Sequence, residues 1–467
     1  MGSGSVDSAS STGIWSDTDG GLTLELSRFI AELGFSDIPE AVTHQAKRCL
    51  IDWLGVTLAG SADPSVDTLC GVADDLGAHG DSTVLGRKRG ATLLFAVLIN
   101  GYMAHVLDYD DTYNPARTTV HGSAPVWPVV AALSEESAID GPRAVTAFVA
   151  GFETAVRVAR AAGPSHYEAG WHVTGTTGHF GAASAAANLM SLDFQAVANA
   201  LGAAGTQAAG LKGVYGSMGK ALHPGKAAMD GLLGALLARR GFTASTSILE
   251  DKRGFLQVFS PTPDPEYVVK DLGIEWHLLD DGFKPYACGS LTHPTIEAII
   301  TLRDRNRIIP SQIESIEARV NSYVSWVTAK PRPKTGLEGK FSIFHCAAVA
   351  AIDGAARLQQ FADARVNAPE IVRMRERVSV VVDDALAKDA ASVCILLTDG
   401  RRLTATVTHN KGTPEAPMTD DEIEAKFLHL ATPHIGSERA RMVADKCWRL
   451  HESHDTGELA RLCRGEA

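Results

Sequence analysis

Four short polar clusters in this chain bring together side chains able to move protons or hold anions. The first is His105-Val106-Leu107-Asp108-Tyr109-Asp110-Asp111-Thr112, with His121 close behind, directly after an apolar helical stretch. Carboxylates crowded against imidazoles shift one another's ionisation, which an acid/base pair requires; a solvated helix end would account for the same residues. The second, Gly170-Trp171-His172-Val173-Thr174-Gly175-Thr176-Thr177-Gly178-His179, precedes an Ala-rich helix expected from Phe180. Glycine and threonine there leave N–H groups and hydroxyls open to an anion, while His172 and His179 equally suit plain loop and helix positions. The third runs from Gly216 to Lys226. Val214 and Ala221 break the G-x-x-x-x-G-K-[ST] phosphate-loop pattern at both ends. What remains is Lys220, Lys226 and His223 in a glycine-rich turn, suited to gripping carboxylates or to facing water before a helix. The fourth, Lys284 to His293, has Pro285 and Tyr286 beside the lysine, and Cys288, which reads as a small buried hydrophobe rather than a nucleophile.

The elements that must position these clusters differ along the chain. From Leu22 to about Leu272 apolar residues recur at helical spacing: Leu22, Leu26, Phe29, Ile30 and Leu33, then Cys49, Leu50, Trp53 and Leu54. Ala-rich stretches follow at 92–107, 126–134, 145–161, 181–190, 194–209 and 226–239, predicting tightly packed helices. After about Ile274, Ile316–Val320, Val378–Val382, Val393–Leu397 and Leu403–Val407 read as strands, the last two joined by the hairpin signal Asp399-Gly400. Helices are expected at 297–306, 343–358, 419–430 and 438–450. The fold class is therefore mainly α with an α+β second domain. The fourth cluster lies at the junction, a favoured place for ligands.

Composition narrows the function classes. The chain has 467 residues, 45% hydrophobic and 21% charged, with formal charge −12. Two domains are expected at that length. The acidic balance, with no basic run longer than Arg87-Lys88-Arg89, argues against nucleic acid as a partner. No apolar run is long enough to span a membrane. Seven scattered cysteines without metal-ligand spacing predict neither a disulfide framework nor a metal site, and with no targeting segment they suggest the cytoplasm. Residues 1–20 read as a disordered tail.

Taken in order, Asp52-Trp53-Leu54-Gly55, Asp-Tyr-Asp-Asp-Thr at 108–112, His121 with Pro128, Gly-x-His-x-Thr-Gly-Thr at 170–176, Gly-Lys-x-Leu-His-x-Gly-x-Ala-Ala at 219–228, Arg240-Gly241-Phe242-Thr243, Lys284-Pro285-Tyr286 and Glu424-Ala425-Lys426-Phe427 resemble the MmgE/PrpD family. That family includes 2-methylcitrate dehydratase, cis-aconitate decarboxylase and iminodisuccinate epimerase. The resemblance implies a large all-helical domain from both chain ends (21–279 and 411–467) with a smaller α+β lid inserted at 280–410. It also implies a homodimer, no cofactor, and a di- or tricarboxylate as the small-molecule partner. Carried over by position, the catalytic set is Asp108, His121, His172, Lys220 and Lys284, with Thr112, His223, Tyr286 and His345 on the substrate. The lysines would grip carboxylates, the histidines would move protons, and Asp108 would orient one of them. Two positions depart from the family: His345 stands where relatives often have tyrosine, and Gly289 where cis-aconitate decarboxylases have a histidine five residues after the lid lysine. Both count against decarboxylation. The expected reaction is dehydration of a citrate-like hydroxy acid, of the 2-methylcitrate or alkylcitrate type. Epimerisation of an iminodisuccinate-like acid is the first alternative, cis-aconitate-type decarboxylation the second, and a non-catalytic helical binding protein the last.

Overall fold

The computed structural model describes residues 21–115 and 118–465; the expected tail at 1–20 lies outside them. Helices Leu22–Glu32, Glu40–Gly60, Leu93–Val106, Ser123–Glu136, Gly141–Glu168, Val173–Leu189, Phe194–Gly205 and Gly219–Arg239 enclose one apolar core. Helices Asp420–Ile435 and Ser437–Trp448 enter the same core through Phe427, Ala431, Ala440 and Val443. Residues near both ends of the chain thus build one body. Its small side chains let helix axes approach. A Cβ added to Gly55 would lie 3.2 Å from Phe427 Cα, and one added to Gly225 would lie 2.4 Å from the Leu98 carbonyl oxygen.

Residues 287–407 supply most of a second core. Strand Ile313–Val320 sits inside a four-stranded sheet, parallel to Val378–Val382 and antiparallel to Ala391–Leu397, which pairs with Arg402–Val407. Ile316 faces Ile395 and Ala318 faces Val393 across the ladder. All four are buried, in the one-faced alternation expected of a covered sheet. Helices His293–Asn306 and Ile343–Asp353 cover that face. At the junction, Thr112–Tyr113 pairs with Asp281–Gly282 in a short antiparallel ribbon. This ribbon brings Lys284 beside the loop that carries Asp108.

Two clusters expected in turns lie in helices. Val173–Leu189 takes in the whole Thr-Gly-Thr-Thr-Gly run, and Gly219–Arg239 contains Lys220, His223 and Gly225. Glycine signals a turn by local preference; here close helix crossing is the competing use. A Cβ on Gly175 would stand 2.9 Å from His223 Cβ.

Candidate active site

Helix Leu93–Val106 delivers the chain into a buried loop, and Asp108 there adopts a left-handed backbone with φ 52°. Such a conformation costs a non-glycine residue about 1–2 kcal/mol and persists only where its surroundings hold it. Lys426 Nζ donates to Asp52 Oδ1 at 2.6 Å and to the Tyr109 carbonyl at 2.7 Å, while the Asp111 N–H donates to Asp52 Oδ2 at 3.1 Å. The motifs at 52–55 and 424–427 therefore brace this loop from behind.

Two lysines from distant parts of the chain converge on Asp108. Lys220 Nζ lies 2.7 Å and Lys284 Nζ 3.2 Å from the same oxygen, Oδ1, and Lys284 also donates to the Asp108 carbonyl at 3.0 Å. Burial opposes the charge on Asp108, but Lys220 and Lys284 outweigh it and hold its pKa well below the usual carboxylate range. Burial likewise works against Lys284, and Asp108 and Asp110 more than offset it, so its pKa is raised. Each ammonium has three N–H donors. These contacts use one on Lys220 and two on Lys284, leaving donors for an incoming carboxylate. Lys340, unmarked by the sequence clusters, is buried nearby without reaching Asp108 or lining the cavity: its Nζ donates to the Leu107 carbonyl, and burial, reinforced by Lys284 and Lys220, lowers its pKa to about 8.

Asp110, rather than Asp108, serves the imidazoles. Its Oδ2 lies 2.7 Å from His105 Nδ1 and 3.1 Å from His121 Nδ1, and the Asp111 carbonyl is 2.8 Å from His121 Nδ1. With Nδ1 turned to these acceptors, Nε2 of His121 is the nitrogen left for the cavity. Thr112 Oγ1 is 3.2 Å from His121 Nδ1 and 3.3 Å from the Asp110 carbonyl, which places it behind the ring. His172 pairs Nδ1 to Nδ1 with His223 at 2.9 Å. Burial and the adjacent Lys220 push the His172 pKa well below the ordinary histidine value, so the ring is neutral. Burial also lowers His105, to about 3.

Asp108, His121, His172, Lys220 and Lys284 line one cavity of about 560 Å³, whose lining also includes Tyr167 and Phe341. Five of the nine residues named from the sequence thus share a single hollow. Thr112 and His223 stand one layer behind it. Tyr286 packs edge-on against His293, and His345 directs Nε2 to the Gln360 carbonyl and its ring to Phe361; neither lines this cavity. His105, Asp110 and Lys340 lie outside the set carried over from the family. The first two sit inside the first cluster, but only the folded loop separates Asp110, turned to imidazoles, from Asp108, turned to lysines. Lys340 carries no local signal at all.

Among the described residues, two buried groups have ligand atoms close enough for a metal ion: His105, Asp110 and His121, and Cys49, Asp111 and Asp281. Hydrogen bonds account for both approaches. The imidazole N–H groups meet Asp110, Ser123 Oγ donates to Asp111 Oδ2 at 2.5 Å, and Cys49 Sγ is 3.4 Å from Asp281 Oδ2. Burial raises Asp111 to about 7 and Asp281 further, as expected for two carboxyls sharing a proton.

A helical body with an α+β unit beside it thus brings a buried set of lysines, imidazoles and carboxylates to a common hollow, an arrangement suited to an enzyme. The MmgE/PrpD N-terminal domain matches residues 24–268 and the MmgE/PrpD C-terminal domain matches 286–450. The chain belongs to the MmgE/PrpD family and is an enzyme of its lyase type. It is 30% identical to a cis-aconitate decarboxylase-like protein, oryM, of Aspergillus oryzae, over 97% of this chain and 99% of that protein. It is 29% identical to a cis-aconitate decarboxylase of Aspergillus terreus over 96% of each, and 24% identical to the human cis-aconitate decarboxylase over 95% of each.

Proposed function

We propose that this enzyme decarboxylates an unsaturated tricarboxylate of the cis-aconitate type. The observation that carries the reading is the convergence of Lys220 and Lys284 on one Asp108 oxygen in the cavity that His121 and His172 also line. The cis-aconitate decarboxylases among its relatives move the weight from dehydration, expected from the sequence, to loss of CO2.

The residues suit each step. The remaining N–H donors of Lys220 and Lys284 grip substrate carboxylates from two directions. The bond to the departing carboxylate breaks and CO2 leaves; its electron pair spreads through the double bond onto the conjugated carboxylate. Fixed cations stabilise that charge without reorganising. A proton then passes from His121 Nε2 to carbon, and Asp110 compensates the charge of the imidazolium form that delivers it. Gly289 offers no imidazole, so proton delivery falls to His121, with neutral His172 as a hydrogen-bonding partner. Dehydration of a citrate-like acid is the second reading, favoured by Gly289 and by two imidazoles that can act as base and acid on opposite groups.

Proton NMR in heavy water on cis-aconitate, citrate, 2-methylcitrate and iminodisuccinate separates the chemistries. Decarboxylation yields a product short of one carboxylate with one solvent deuterium on carbon. Water loss from the hydroxy acids supports the second reading. Label entering recovered substrate with inversion, and neither CO2 nor water released, would overturn both.

A further inference from the structure

The contact between His172 and His223, Nδ1 to Nδ1 at 2.9 Å, lets one ring dictate where the other carries its proton. At that separation one nitrogen holds the hydrogen and the other accepts it. Burial and Lys220 lower the pKa of both rings, so both are neutral at pH 7. A neutral imidazole has a single N–H, which makes the two rings complementary. Where His223 Nδ1 donates, His172 keeps its hydrogen on Nε2; where His172 Nδ1 donates, its Nε2 is bare. His172 lines the cavity with Nδ1 turned away to His223, so Nε2 is the nitrogen presented to a substrate. The pair thus sets whether this wall offers a donor or a lone pair.

The surroundings enclose His172 and leave His223 open. The His172 N–H donates to the Gly210 carbonyl at 2.9 Å. Its ring stacks on His105 at 5.6 Å and meets Tyr215 edge-on at 5.4 Å, and the residue is 3% exposed. His223 lies three residues after Lys220 on helix Gly219–Arg239 and is half-buried. Its neighbours Leu222 and Lys226 are exposed, and Nε2 is the nitrogen it has left for water. Switching the pair moves one proton across the contact, one between water and His223 Nε2, and one between His172 Nε2 and the cavity. The charge of the pair does not change. A carboxylate brings lone pairs and no hydrogen, so it selects the state with Nε2–H on His172.

Building on the lyase reading above, we infer that His223 is a positioning residue: by donating Nδ1–H to His172 it fixes the tautomer with which His172 Nε2–H donates to a substrate carboxylate. His223 does not itself touch the substrate. Lys220 and Lys284 bring charge to the acid, and His172 adds a neutral donor whose direction is set by the ring.

The test joins nitrogen NMR to kinetics. Enzyme labelled at its histidines is titrated with tricarballylate, a saturated tricarboxylate that has no double bond to take up the electron pair, and His172 is assigned by comparison with His172→Asn. The complex should show His172 with a protonated Nε2 and a bare Nδ1, and His223 with a protonated Nδ1. In His223→Leu, which keeps bulk without the donor, KM for cis-aconitate and Kd for tricarballylate should rise about tenfold, the scale of a lost hydrogen bond to a charged group. His223→Asn, whose amide N–H stands where Nδ1 stood, should recover most of that loss. Both variants are checked for parental melting, and the parent spectrum decides the matter even where a variant fails to fold. A protonated Nδ1 on His172 in the complex, an Asn variant no better than the Leu variant, or no binding of tricarballylate overturns the inference. The spectra do not depend on turnover. The expected tautomer in an enzyme that leaves cis-aconitate intact supports the inference and sinks the decarboxylase reading; turnover with the opposite tautomer does the reverse.

Discussion

At the scale of single residues the site is a division of labour between neighbouring carboxylates. Asp108 holds two ammonium groups and Asp110 holds two imidazoles, although only one residue separates them. Lys220→Met and Lys284→Met should each lower kcat/KM about 100-fold or more, the scale of losing one stabilising donor. A loss under fivefold in a folded variant would remove that lysine from the account. Asp110→Asn keeps the shape but not the charge beside His121. Its kcat should fall about 100-fold, within the range of acid–base catalysis, with KM nearly unchanged. Lys340, lowered to about 8 by burial, is cationic below that pH and neutral above it. KM for an anionic substrate should therefore rise between pH 7 and 9, and Lys340→Met should flatten that rise; an identical profile in the variant would contradict the assignment.

At the scale of elements, close helix crossings and one short ribbon set the geometry. A Cβ on Gly225 meets the Leu98 carbonyl at 2.4 Å, and the same helix carries Lys220. Gly225→Ala should cost about 1–3 kcal/mol by overpacking and lower activity with it, read as a reduced melting temperature; an unshifted melt would mean the helices yield freely. In the ribbon, burial first and then Asp52 raise Asp111 to about 7. A carboxyl raised on folding contributes most to stability below its unfolded value near 4, and that contribution is lost as pH rises through about 7. Asp111→Asn is neutral throughout, so its stability relative to the parent should improve by up to about 1.4 kcal/mol per unit from pH 5 to 7, then level off. Melting temperatures across that range check the sign. The elements themselves were largely legible: strand Val378–Val382 and the Asp399-Gly400 hairpin stand where alternation and turn chemistry put them. Helices Val173–Leu189 and Gly219–Arg239 begin earlier than the sequence periodicity places them, because a glycine's role in contact between helices looks, in one dimension, like a turn. The lysine pair could be named from motifs, but its shared anchor on Asp108 could not, since it depends on residues far apart in the chain.

At the scale of the molecule, the stretch from Met418 to Cys463 completes the core begun near Leu26. Deleting residues after Met418 should strip Phe427 and Val443 from that core and Lys426 from Asp52, giving aggregated protein; a soluble, cooperatively melting product would contradict the single core. Among the described residues no helix is long and apolar enough to cross a membrane. The homodimer implied by the family resemblance remains a proposal for sedimentation analysis. The central claim is that two lysines and a carboxylate-backed histidine act on one tricarboxylate in one hollow. It is tested most directly by incubating purified enzyme with cis-aconitate in heavy water and following CO2 release and product deuteration, with His121→Asn and Lys220→Met alongside. The account predicts one CO2 and one carbon-bound deuterium per turnover, reduced at least 100-fold in both variants. Undiminished turnover in either folded variant would contradict it.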